Sequence, residues 1–206
     1  MSLTTIWLVR HGETERSVAQ RFNGRDDVAL TDRGRQQCRD LAQQLAHERI
    51  DAVYASPLRR CLETATLLIG DRALPIQQDF GLIEIDYGAW EGKTYQEARE
   101  LDPQLYADWE QNPDRLAPPG GETGEAVAQR ALAAVRAIVK RSLGQTILIV
   151  AHKTVNRLLL ASIQGDPLRE YRSIPQELGA LSRLEWEDNG QIRVRTKAGD
   201  FWGCIE

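Results

Sequence analysis

Cysteine is scarce in this chain. Among 206 residues only Cys38, Cys61 and Cys204 are cysteines, and an odd number, far apart and without metal-type spacing, fits neither a disulfide framework nor a zinc site. They are read as packing thiols. No apolar run approaches the roughly 20 residues that span a bilayer. The opening MSLTTIWLVRHG runs straight into a buried strand rather than a cleavable signal, so a cytoplasmic location is expected. An excess of positive charge is also lacking: 26 Lys+Arg against 30 Asp+Glu leave a net charge of −4. That balance argues against a partner held by bulk charge, either nucleic acid or an anionic membrane, so any basic site is local. With no internal repeat, low-complexity stretch or linker, residues 1–206 are expected to form one domain with a substantial core.

What is present alternates between two periodicities. Thr5 to Val9 reads as a first strand, ending where Arg10-His11-Gly12 begins a turn. Thr31 caps a helix on which Cys38, Leu41, Ala42, Leu45 and Ala46 recur at helical spacing, with its end near Glu48. Asp51 to Ala55 reads as a second strand, and Ser56-Pro57 as the cap and first position of a helix reaching Ile69. Gly88, Trp90 and Gly92 mark irregular backbone, Thr94 to Glu97 is a capping box, and two short helices are expected up to Gln111. After the PPGGE turn a helix carries Val127, Ala131, Val135 and Ile138 on one face, and Ile147 to Val150 suits a central parallel strand. His152 follows that strand as His11 follows the first. Leu178 to Trp186 and Gln191 to Thr196 read as a closing hairpin around Asp188-Asn189-Gly190. The order of elements implies an α/β three-layer sandwich with a mostly parallel central sheet and a small helical insertion near 86–124.

In open α/β sheets ligands bind at the carboxyl ends of strands, where this sequence sets Arg10-His11, His152 and the first turn of the helix bearing Arg59-Arg60. Arginines with a helix N-terminus favour a dianion such as a phosphoryl group. A neutral imidazole clamped in line with it is a competent nucleophile, and the guanidinium charges stabilise the equatorial oxygens without a metal or other cofactor. The proton for the leaving oxygen needs a carboxyl group of raised pKa. Glu84, between Ile83 and Ile85 and near Tyr87 and Trp90, is the candidate.

LVRHGET, SPLRRCLETA, LIEIDYGAWEG and VAHKTVNRLLL, in this order, resemble the four motifs of the histidine phosphatase superfamily, also called phosphoglycerate mutase-like. The resemblance covers nearly the whole chain and implies a phosphoglycerate mutase-like fold. It implies His11 as nucleophile, Arg10 and Arg60 as phosphate ligands, Glu84 as proton donor and His152 as a further contact to the phosphoryl oxygens. Two positions depart from the family pattern: Ser17 stands where Asn is common, and Lys153 where Gly follows the second histidine. Ser17, Asn23, Gly24, Tyr87 and Lys153 are taken as substrate-contacting residues.

Arg59 is a solvated neighbour of Arg60, His47 a surface residue, and Asp86 and Glu91, the alternatives to Glu84 for the acid role, are expected to be solvated turn residues. Tyr87, Trp90, Tyr106 and Trp109 serve either as core or wall or as residues that read the substrate. Arg16, Arg21 and Arg25 form a solvated face or a rim that attracts a second anionic group. The function implied is hydrolysis of a small phosphorylated metabolite through a phosphohistidine. The alternatives are a cofactor-dependent phosphoglycerate mutase, for which the segment from Gly92 to Gly144 is short, and a non-catalytic phosphate-binding module. The apolar Phe201-Trp202 suits either a packed end or the interface of a homodimer.

Overall fold

The computed structural model describes residues 3–187, 190–196 and 199–204. Seven strands form one sheet, β1 (Leu3–Arg10), β2 (Ala52–Ala55), β3 (Ile76–Gln78), β4 (Thr146–Ala151), β5 (Leu181–Glu187), β6 (Gln191–Thr196) and β7 (Gly199–Cys204), ordered β3-β2-β4-β1-β5-β6-β7. β3, β2, β4 and β1 are mutually parallel, whereas β5, β6 and β7 extend the sheet antiparallel from β1. The parallel half carries the site. In its centre Arg10 pairs with Ala151, so the residues that follow, His11 and His152, leave adjacent strands side by side.

Strand alternation builds two cores. Ile6, Leu8, Ile147 and Ile149 face the helices α6 (Gly124–Arg141) and α7 (Lys153–Gln164), while Val9, Leu148 and Val150 face α2 (Asp32–Gln44) and α3 (Arg59–Ile69). The four residues Ile147 to Val150 have no exposed surface, and each such side chain contributes roughly 1.5–3 kcal/mol of transfer free energy. This is why a continuous apolar run, rather than an alternating one, sits mid-sheet. The result is the expected three-layer sandwich.

A third cluster lies outside the sheet. The short helices α4 (Tyr95–Leu101) and α5 (Pro103–Gln111), capped by Thr94 and Asp102, bring Trp90, Ala98, Tyr106 and Trp109 around Phe22. Phe22 comes from the loop after β1 and the four-residue helix α1 (Glu15–Val18), and an Arg21–Thr94 bridge pins that loop to the insertion.

Several boundaries differ from the sequence reading. The helix expected to start at Ser56-Pro57 starts at Arg59 with Leu58 as its cap, and the Ser56 hydroxyl lies 2.7 Å from His152 Nε2 while accepting from Leu58 N at 3.4 Å. β3 and β7 were not read as strands: three residues carry too little periodicity, and β7 is fixed by pairing with β6. Of the hairpin turn, Asp188 and Asn189 lie outside the described residues, as do the side chains of Phe201, Trp202 and Cys204.

Candidate active site

The loop after β1 is shaped by close backbone approach. Gly12 N–H donates to Thr64 Oγ1 at 3.1 Å, and a Cβ on Gly12 would stand 2.8 Å from both Cys38 Sγ and Gly34 O. A side chain there would push the loop off α2. The closeness buries His11, whose Nδ1 lies 2.7 Å from Gly12 O. A carbonyl only accepts, so Nδ1 carries the proton and Nε2 keeps its lone pair. Burial, then the charges of Arg60 and Arg10, hold His11 well below its ordinary pKa and keep it neutral.

Arg10 and Arg60 are buried, and among the described residues neither forms an ion pair with a carboxylate. Arg10 donates Nη1 to Gln176 O at 2.5 Å, and its buried Nε has no partner; burial lowers its pKa to about 10. Arg60 donates Nη2 to Gly24 O at 2.6 Å, Nη1 to Asp26 O at 2.7 Å and Nε to His152 Nδ1 at 3.2 Å. Two buried cations satisfied by neutral acceptors leave uncompensated charge, which is costly unless an anion joins them.

His152 caps α7 by position without a side-chain bond to the helix; its Nε2 lies 2.7 Å from Ser56 Oγ. With Arg60 donating to Nδ1, Nε2 is the protonated nitrogen and Ser56 the acceptor. The His11 and His152 rings meet edge to face at 5.2 Å. Burial and Arg60 hold His152 well below its ordinary pKa as well.

Glu84 caps α7 from outside. Its carboxylate accepts from Thr154 N and Val155 N at 3.2 Å each and from Ile85 N at 3.0 Å. Burial raises its pKa; these amides and Arg60 oppose the rise without reversing it. A buried carboxyl group of raised pKa therefore faces the same cavity as His11 and Arg10. That cavity holds about 610 Å3, walled on one side by Phe22, Tyr95, Tyr106 and Trp109.

The remaining sequence-predicted residues divide. Ser17, Asn23, Tyr87 and Lys153 line the cavity, while Gly24 does not and instead holds Arg60 through its carbonyl. The Ser17 hydroxyl donates to Thr14 O at 2.7 Å within a capping box, so its hydrogen is engaged inside the loop. Tyr87 is cavity wall, its hydroxyl 3.2 Å from Thr154 Oγ1, whereas Trp90 is core. Arg60 and His152 are not among the residues that line the cavity; the His152 ring meets that of His11, which does. The N-terminus of α3, expected to add positive potential, is occupied by Asp27, whose Oδ1 accepts from Arg59 N at 2.6 Å.

Glu91, read as a solvated turn residue, is a half-buried clamp that accepts from Gly24 N, Arg25 N and Tyr87 N at 3.0 Å each. Asp86 likewise accepts from Gly88 N at 2.8 Å and pairs with Arg25. Sequence reasoning also missed Ser56, and with it the 165–178 segment, which sets Gln176 O on Arg10 and brings Arg172 to the cavity. Arg157, four residues after Lys153 on one face of α7, was legible from that spacing alone.

The comparisons agree with this geometry. Residues 6–198 match the model of the histidine phosphatase superfamily (branch 1). Phosphoserine phosphatase 1 of Hydrogenobacter thermophilus is 30% identical over 204 residues, 97% of each chain. Adenosylcobalamin/alpha-ribazole phosphatase of Escherichia coli is 33% identical over 87% of this chain and 89% of its own. Bacillus stearothermophilus YhfR, a solved structure, is 40% identical with a TM-score of 0.89, covering 95% of this chain and 97% of that one. An arginine-histidine pair at the end of one central strand, a second histidine at the end of its neighbour and a family match over nearly the whole length have one reading: the chain belongs to the histidine phosphatase superfamily.

Proposed function

We propose that this chain is a phosphatase that hydrolyses small-molecule phosphomonoesters through a phosphohistidine at His11, with no metal required. The observation that carries the reading is a neutral His11 with a free Nε2 beside two buried arginines that lack carboxylate partners, facing a carboxyl group of raised pKa. Arg10, Arg60 and His152 hold the phosphoryl group, and the charge of the two arginines takes the place a metal ion fills elsewhere. Nε2 attacks phosphorus, the ester P–O bond breaks, and the leaving oxygen takes the Glu84 proton. In the second step the Glu84 carboxylate removes a proton from water as that oxygen attacks phosphorus. The N–P bond then breaks, phosphate departs and His11 is again neutral.

Ser17, Asn23, Tyr87 and Lys153 contact the rest of the substrate, and Gly24 acts through Arg60. Residues 1–206 work as one phosphatase domain in which the segment about 86–124 forms a helical cap, its aromatic cluster packed on Phe22. Buried free thiols at Cys38 and Cys61 suit the reducing cytoplasm, and among the described residues no helix is long and apolar enough to cross a membrane. The test is phosphate release from a panel of phosphomonoesters with excess chelator, comparing wild type with His11→Ala. Release that survives the chelator and disappears in the variant supports the reading; no release from any ester refutes it.

A further inference from the structure

The rim arginines and the α7 wall of the cavity differ in one respect. Arg16, Arg21 and Arg25, the residues with a candidate role in attracting a second anion, are all neutralised: Arg16 by Asp26 at 2.6 Å, Arg21 by Glu97 at 3.2 Å, and Arg25 by Asp86 and Glu122 at 3.3 and 3.0 Å. The cavity lining also holds Lys153 and Arg157, one turn apart on α7, and Arg172 from the segment after it. Among the described residues none of these three forms an ion pair with a carboxylate.

Their other contacts hold them in place without spending their charge. Arg157 donates Nε to Ile174 O at 2.7 Å. Arg172 lies 4.2 Å from the Trp109 ring centroid and donates Nη1 to Glu110 O at 3.0 Å, while its Nη2 is buried with no partner. A stacked, anchored guanidinium with a spare buried donor is prepared for an acceptor that the protein does not supply. The carboxylates that share the lining do not cancel this charge. Glu84 is engaged by three backbone amides, Glu110 pairs with Arg99, and among the described residues Glu177 forms no ion pair, against three cations. Burial, then the charges of Arg157 and Arg10, lower the Lys153 pKa, with Glu177 and Glu84 opposing, and a bound anion would offset the repulsion between the cations.

We propose that Lys153, Arg157 and Arg172 form a second anion subsite, and that the preferred substrates are phosphomonoesters carrying a further carboxylate or phosphate group. The inference rests on the phosphatase reading for the position of the phosphoryl group. From there the cavity orients such a substrate with its second anion toward α7 and its carbon skeleton along the aromatic wall.

The test compares kcat/KM for three esters with one carbon skeleton: 3-phosphoglycerate, glycerol 1,3-bisphosphate and glycerol 3-phosphate. In wild type the carboxylate or the bisphosphate ester exceeds glycerol 3-phosphate by about tenfold or more, and which of them leads identifies the anion. In Arg157→Met and Arg172→Met that ratio falls several-fold, and Arg157→Lys restores part of it. A wild-type ratio near one, or a ratio unchanged in both methionine variants, overturns the proposal. Calorimetric titration of the same esters into His11→Ala reads the subsite without turnover. Inactivity toward all esters therefore removes the phosphatase reading, while selective or equal binding still decides the subsite.

Discussion

The Glu91 clamp gives the sharpest perturbation. Its Oε1 accepts from Arg25 N and Tyr87 N, its Oε2 from Gly24 N, and Gly24 O in turn accepts from the buried Arg60. In Glu91→Gln the amide oxygen keeps two of these bonds, while the NH2 group is set against the Gly24 N–H, two donors face to face. A charge-assisted bond of this kind is worth roughly 1.5–3 kcal/mol when buried. The site is only partly buried, so a loss of about 1–2 kcal/mol is expected. Because the slack falls on the loop that positions Arg60, it is felt where the phosphoryl charge develops, and kcat/KM should drop roughly 5- to 30-fold. Gly24→Ala should act in the same direction, since its Cβ would lie 2.0 Å from Glu91 Oε1 and 2.4 Å from Ile85 O. The assay is steady-state hydrolysis of p-nitrophenyl phosphate at a temperature where circular dichroism shows both variants fully folded. Wild-type kcat/KM in folded Glu91→Gln would refute the reasoning and reduce Glu91 to a structural residue.

Other predictions follow from the same geometry. Glu84→Gln should lower kcat by 10²–10⁴-fold on alkyl phosphates and far less on p-nitrophenyl phosphate, whose leaving group needs no proton; equal losses on both would remove Glu84 from the acid role. In wild type, kcat/KM should fall as pH rises through the raised Glu84 pKa, and hold below pH 6.5 because His11 stays neutral there; a profile governed by a histidine of ordinary pKa contradicts this. Ser56→Ala leaves the His152 Nε2–H with only the weak acceptor Cys61 Sγ, 3.4 Å away, and should cost about 1 kcal/mol of stability together with a fall in kcat, read by denaturant titration and steady-state kinetics. His11 and His152 both have folded pKa values below the unfolded 6.5, so the stability they confer is present above that pH and lost below it, by up to about 1.4 kcal/mol per pH unit for each. Glu84, raised, has the opposite sign and offsets part of this at lower pH; thermal melts between pH 7 and 5 check the slope.

What the sequence made legible was local or strongly periodic. Ile147 to Val150 announced a buried parallel strand, Thr94 with Glu97 a helix start, and Arg10-His11 and His152 a site at two strand ends, because each signal is complete within a few residues. The misreadings share a different cause. Ser56 carries every local mark of a cap, yet a histidine 96 positions away takes its hydroxyl. Glu91 looks like a solvated turn acid until the fold brings three amides to it, and Arg60 is held by carbonyls of Gly24 and Asp26, groups every residue owns. Backbone partners leave no trace in side-chain identity, so the parts that position the catalytic groups were the least visible.

The central claim is the covalent intermediate at His11. The most direct measurement is an alkaline quench of the enzyme during turnover of a phosphomonoester with excess chelator present, followed by peptide mass spectrometry. The account predicts a phosphoryl adduct on the peptide containing His11, absent in His11→Ala and longer-lived in Glu84→Gln. Steady turnover with no adduct in either wild type or Glu84→Gln, or undiminished phosphate release by His11→Ala, would contradict it.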